Sequence, residues 1–152
     1  MENKIIEPFK IIGIAIRTTN ENNQAATDIG NLWGKFMGEN VMASIPNKVD
    51  NTIYSIYTEY ESDFTKPYTT MLGCKVNSLN DIPDGLLGKT FEGGEYIRFN
   101  AKGDLAKGIV YSKWVEIWNK DLNRKYTADF EVYGEKSQNP SEAEVEIFIA
   151  IN

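Results

Sequence analysis

The sequence predicts an α+β domain in which a strand–helix–strand–strand unit occurs twice. Two observations carry that prediction. An apolar, β-branched run gives way to apolar residues at helical spacing and then to two aromatic-rich strand patterns, and the same order returns after Gly94. Each helix also holds a tryptophan, and each is followed by a tyrosine-rich strand. The pseudo-repeats cover about residues 9–77 and 94–152, too few units for a solenoid. Two such units most simply place their antiparallel strands side by side, with both helices covering the sheet in a pseudo-twofold arrangement.

Element by element, Phe9 to Arg17 is a buried-strand pattern, and Asn20 or Asn22 can cap the helix that follows. In that helix Ala25, Ile29, Leu32, Trp33 and Phe36 recur three and four apart, and Gly38 ends it. Gly30 and Gly34 on the same helix invite close backbone packing. Glu39 to Asn51 is a loop, longer than its counterpart Asn123 to Lys125, and Met42 to Lys48 is expected as a mobile rim or lid of a lopsided cleft. Thr52 to Tyr60 and Tyr68 to Val76 form a hairpin with a longer connection. Asn77 to Gly94, rich in glycine and turn formers, is a linker. Glu95 to Ala101 opens the second unit, and Asp104 caps a helix running to about Leu122. Tyr126 to Tyr133 and Glu142 to Ile151 form the second hairpin. In the last strand Val145, Ile147, Ile149 and Ile151 share one face.

Composition excludes several kinds of function. A chain of 152 residues buries roughly 68–70% of its unfolded surface and needs neither metal nor disulfides to stand alone. The net charge is −6 and neither half is basic, so no electrostatic footprint for direct nucleic-acid binding exists. An acidic surface instead tolerates cationic small molecules. The absence of histidine removes imidazole bases and His-containing zinc sites, and Cys74, alone, forms neither an internal disulfide nor a thiolate cluster. Ile11 to Ile16 is too short for a membrane span, so a cytoplasmic protein with no membrane partner is expected. No phosphate loop, dinucleotide fingerprint or nucleophile elbow is present, and no cofactor is expected.

Two features carry possible chemistry. Strand alternation puts Phe130 and Val132 on one face and Glu131 with Tyr133 on the other. If that second face is solvent, Glu131 is a surface carboxylate; if it lines a cleft, a carboxylate among rings can hold a cation. The matching place in the first unit holds Ser55, so one acid is available rather than the pair a glycosidase uses. The other feature is the set of aromatic residues, including Trp33, Tyr57, Tyr60, Tyr68, Tyr96, Trp114, Trp118 and Tyr133. Ring faces attract cations, worth roughly 0.5–2 kcal/mol per contact, although most of these rings, Trp118 in the middle of its helix's apolar arc among them, read first as core, and the strand tyrosines are the better pocket candidates.

The chain resembles the GyrI-like effector-binding domains, which also form the ligand-binding half of some AraC-type and multidrug-responsive regulators. The resemblance runs from Ile11-Ile12-Gly13-Ile14-Ala15-Ile16-Arg17-Thr18 to Val145-Glu146-Ile147-Phe148-Ile149-Ala150-Ile151. It includes Leu32-Trp33, Tyr54-Ser55-Ile56-Tyr57, Gly93-Gly94-Glu95-Tyr96, and Trp118 followed by Asp129-Phe130-Glu131-Val132-Tyr133. It implies one curved sheet made by two modules, a cleft between them, and Glu131 inside that cleft. The function so implied is binding of a cationic or amphipathic aromatic molecule, with Glu131 as the charge and Tyr57, Tyr68, Tyr96, Trp118, Trp33 and Tyr133 as walls. Two alternatives stand beside it. One is a hydrolase of strained, cyclopropane-type electrophiles in which Glu131 is the acid or base. The other is a gyrase-inhibitor-like module that occupies a protein partner.

Overall fold

Both repeats are present, and each has gained a leading strand that its pattern did not announce. The computed structural model describes residues 1–152. In chain order the elements are β1 (Glu2–Ile6), β2 (Phe9–Thr18), α1 (Gln24–Gly38), the one-turn α2 (Val41–Ser44), β3 (Ile53–Thr58) and β4 (Tyr68–Val76). There follow β5 (Leu87–Phe91), β6 (Gly94–Gly103), α3 (Ile109–Trp118), β7 (Ala128–Tyr133) and β8 (Ala143–Ala150). The strands form one antiparallel sheet in the order β1-β6-β8-β7-β3-β4-β2-β5. The modules meet at the central pair β3–β7, where Ser55 lies directly opposite Glu131.

The segment 77–94 is not merely a linker, because it contains β5. Its short, glycine-interrupted sequence Leu87-Gly88-Lys89-Thr90-Phe91 hides the strand behind the turn formers that precede it. β5 pairs with β2 from Phe9↔Phe91 to Gly13↔Leu87, while β1 pairs with β6 from Glu2↔Arg98 to Ile6↔Gly94. One antiparallel register runs unbroken through both ladders. The two outermost strands of the sheet are therefore the leading halves of two long bent strands that pair with each other. Gly93 sits at the bend with φ +75°, where a Cβ would lie 2.2 Å from the Ile6 carbonyl oxygen. Within the first module Gly13 faces Gly73, and a Cβ on Gly13 would lie 1.9 Å from the Leu72 carbonyl oxygen.

Alternation along the strands gives the sheet two different faces. Inside the curl, Phe9, Ile11, Tyr54, Ile56, Phe130 and Phe148 form an aromatic-rich core without a helix. On the other face α1 presses Leu32 and Phe36 onto Ile12, Ile14 and Leu72, and α3 presses Trp114 and Ile117 onto Ile97, Phe99, Ile147 and Ile149. Full burial of such a side chain stabilises by about 1.5–3 kcal/mol. Because each helix covers the outer strands of its own module, the central strands β3 and β7 lie bare between them.

Several local expectations need correction. Neither Asn20 nor Asn22 caps α1: Asn22 and Asn23 both adopt left-handed backbone in a 3-10 turn, and the helix begins at Gln24 without a side-chain cap. Gly30 and Gly34 pack against nothing, since a Cβ at either would meet no atom within 4 Å. Asp104 does cap, accepting from the Ala106 N–H at 2.9 Å, but it caps a 3-10 turn. Gly108 at φ +70° then separates that turn from α3, which stops at Trp118 rather than Leu122. The segment Met42 to Lys48 is not a cleft lid. Val41 and Ile45 are buried with Leu32 and Phe36, Lys48 bridges to Val76, and the stretch closes the outer side of the first module. Apolar residues spaced within a polar loop anchored it there.

Candidate functional site

Strand alternation aims Tyr57 of β3 and Asp129, Glu131 and Tyr133 of β7 into the gap between α1 and α3. The helices contribute Ile29 and Trp33 from one side and Tyr111, Trp114 and Trp118 from the other. The β3–β4 connection adds Tyr60 and Phe64, and the result is a cavity of about 350 Å³. Its only charged lining residues are Glu131 and Arg124.

Glu131 is 2% exposed. Its Oε2 accepts from the Tyr57 hydroxyl and the Trp114 indole Nε1–H, each at 2.7 Å, and its Oε1 accepts from the Tyr133 hydroxyl at 2.6 Å. All three donors are neutral, and no basic side chain lies within ion-pair distance of the carboxylate. Burial therefore pushes its pKa above the ordinary carboxylate value, while the bonds from Tyr133, Tyr57 and Trp114 pull partly the other way. Burial, with Glu131 alongside, drives the phenols of Tyr57 and Tyr133 far up, so both remain donors. Burial lifts Tyr68 to about 12, and its hydroxyl donates to Asn20 Oδ1 at 2.6 Å.

The rings lock one another in place. Tyr57 meets Trp114 edge-on at 5.3 Å and Tyr68 at 6.0 Å, Trp33 meets Tyr133 at 4.9 Å, and Phe64 stacks on Trp118 at 5.5 Å. Below them a second, fully buried acid, Asp129, is compensated. It accepts from Arg124 Nη2 at 2.8 Å, the Tyr60 hydroxyl at 2.6 Å and the Ala150 N–H at 2.8 Å. The acid of the cavity that lacks a basic partner is thus Glu131.

Six residues named from the sequence, Glu131, Tyr57, Tyr68, Trp118, Trp33 and Tyr133, line this one cavity. Tyr96 does not. Its neighbours Ile97 and Phe99 face α3, so alternation turns Tyr96 into the opposite core, 5.5 Å from the Phe130 ring. Trp114, Tyr60 and Tyr111, members of the wider aromatic set but not of the expected walls, also line it, as do Phe64, Asn20 and Arg124, which the sequence did not single out as site residues. Trp114 had a usable signal, since it lies four residues before Trp118 on one helix face. Phe64 and Arg124 lie in connections with no periodicity to read. No cluster of three acidic or cysteine side chains has the arrangement to hold a metal ion, and no helix is long and apolar enough to cross a membrane.

Comparisons with known proteins agree with this architecture. Over 146 residues the chain is 26% identical to YobU of Bacillus subtilis (strain 168), named as a candidate transcriptional regulator, covering 93% of this chain and 91% of YobU. Among solved structures it is similar to the integron cassette protein VCH_CASS2 from the mobile metagenome of Vibrio cholerae. That match has 32% identity and a TM-score of 0.78, over 99% of this chain and 95% of the other. SAV2435 bound to tetraphenylphosphonium gives a TM-score of 0.81 at 20% identity, over 99% and 93% of the two chains, a likeness of fold. The family model described as Cass2, integron-associated effector binding protein, matches residues 4–151. With nearly its whole length matched and a duplicated sheet whose two helices flank a small-molecule-sized cavity, this chain belongs to the Cass2 family of GyrI-like effector-binding proteins.

Proposed function

We propose that the cavity binds an aromatic or amphipathic monocation, with Glu131 as counter-charge and the surrounding rings as walls. One observation carries the reading: a buried carboxylate supported only by neutral donors, with no basic partner of its own. An ionised acid in such a place is costly unless an opposite charge joins it. A bound cation supplies that charge, and each ring face adds about 0.5–2 kcal/mol. The volume of about 350 Å³ lies near the lower end of cavities that enclose small organic ligands, roughly 300–1,000 Å³. The tetraphenylphosphonium held by SAV2435, a protein of the same fold, supports that cation as a first probe.

All three tryptophans of the chain line the cavity, so intrinsic fluorescence reports occupancy directly. The test titrates tetraphenylphosphonium and its anionic isostere tetraphenylborate in parallel. Saturable one-to-one quenching by the cation, with the anion at least about tenfold weaker, is expected. Equal affinity for both ions would show that shape and apolarity, rather than Glu131, govern binding.

A further inference from the structure

We infer that Arg124 is a second polar contact of this cavity, one that receives a neutral hydrogen-bond acceptor, such as a ketone or ester oxygen, carried by the bound cation. The inference deepens the reading above and rests on it. The Arg124 side chain lines the cavity and is 5% exposed. Only Nη2 has an acceptor, Asp129 Oδ2 at 2.8 Å; Nε and Nη1 are buried with none. A guanidinium carries five N–H donors, and folded proteins leave few such groups buried and unmatched. The ring faces of Tyr126 and Phe64, 4.3 and 5.8 Å from the guanidinium carbon, are weak substitutes for an oxygen.

The backbone around Arg124 is held with some strain. Asn123 and Tyr126, on either side, adopt left-handed conformations at φ 52° and 58°. Lys125 N–H donates to the Ala150 carbonyl at 2.9 Å, and Arg124 bridges to Ile151. Strained non-glycine residues persist where their surroundings over-determine them, and they cluster at ligand clamps.

Charge selects the kind of group. Asp129, fully buried, already compensates Arg124, so an anionic group would be repelled by that carboxylate. A neutral oxygen uses the free N–H groups without that repulsion and leaves Glu131 to match one positive charge. Asp129, which holds Arg124, and Glu131 are two residues apart on one face of β7, about 7 Å along the strand, so Arg124 and Glu131 are separate anchors rather than one cluster. The acceptor therefore lies several bonds from the cationic centre. Phe64, stacked on Trp118 and lying over Arg124, is the side chain that turns aside to admit it.

The test uses two probes of equal charge and similar shape: (4-oxo-4-phenylbutyl)triphenylphosphonium and (4-phenylbutyl)triphenylphosphonium. The ketone is expected to bind the wild-type protein about tenfold or more tightly than the ketone-free probe, the fold-change of a hydrogen bond to a charged group. In Arg124→Lys, which keeps the charge but removes Nε and Nη1, the ratio is expected to fall to about one. A wild-type ratio near one refutes the subsite even if that variant folds poorly. Equal affinity of the two probes for the wild-type protein, or a ratio kept intact in Arg124→Lys, would overturn the subsite while leaving the Glu131 site standing. Failure of both probes to bind would overturn the subsite together with the reading it rests on.

Discussion

Replacing Glu131 with glutamine removes a charge from the cavity with little change of shape. The amide oxygen can accept from Tyr57 and Trp114 in place of Oε2, and the amide nitrogen can donate to the Tyr133 hydroxyl, so every present bond keeps a partner. What disappears is attraction. Two unit charges about 6 Å apart at an effective dielectric of about 20 interact by roughly 3 kcal/mol, or about a hundredfold in Kd. Desolvation of the ionised acid offsets part of this, so a loss of about tenfold to a hundredfold in tetraphenylphosphonium affinity is expected. The assay is a tryptophan-fluorescence titration repeated from pH 8 to pH 4. Burial raises the Glu131 pKa above its ordinary value of 4.5, whereas a bound cation favours the ionised form and draws the pKa down. Wild-type affinity is therefore greatest above the raised pKa, declines on acidification through it, and levels off near that of the glutamine variant once the acid is protonated in the complex as well. The glutamine variant should be weak and flat across the range. Parallel pH profiles in the two proteins, or wild-type affinity in Glu131→Gln, would refute the reasoning.

The same raised pKa has a stability consequence. Its contribution is present below 4.5 and lost as pH rises through the folded-state value, so Glu131→Gln should equal or exceed wild type in urea midpoint at pH 8 and lose that advantage at pH 4. Trp114→Phe removes one donor to the carboxylate, so acid-induced loss of cation binding should begin at higher pH than in wild type. Tyr57→Phe should weaken tetraphenylphosphonium binding by severalfold, whereas Tyr96→Phe, altered on the opposite face of the sheet, should leave Kd within about twofold by the same titration. Gly13→Ala forces a methyl into the Leu72 carbonyl and should cost about 3 kcal/mol, at the upper end of overpacking, in urea denaturation.

Periodicity made the repeat legible, because both helices and both hairpins are amphipathic over several turns or strand positions. It also placed Glu131 and Tyr133 on a face distinct from Phe130 and Val132, which is the division the sheet makes. What periodicity could not supply was the choice of face for an isolated strand. Tyr96 and Tyr57 are both strand tyrosines, and only the residues packing beside them, Phe130 in one case and Trp114 in the other, separate core from cavity. The leading strands escaped for another reason. β1 is largely exposed and β5 is brief and partly polar, so each is defined by its partner across the sheet rather than by its own pattern. Arg124 and Phe64 depend wholly on tertiary placement.

The long bent strands that pair across the molecule also dictate when the protein can fold. Glu2 waits for Arg98, and Tyr54 waits for Val132, so the contacts that unite the halves join residues far apart in the chain. Such topologies fold slowly, since loop closure must precede the reward. While the polypeptide is being synthesised, β2, β4 and β3 can zip together early, yet β1 and the outer edge of β3 have no partners until the second module follows. During that interval the nascent chain carries bare strand edges that invite association with other chains. The recognition chemistry arrives last: Tyr57 is made with the first module, but Trp114, Glu131 and Tyr133 emerge with the second, so a partly translated chain has an incomplete cavity and no acid.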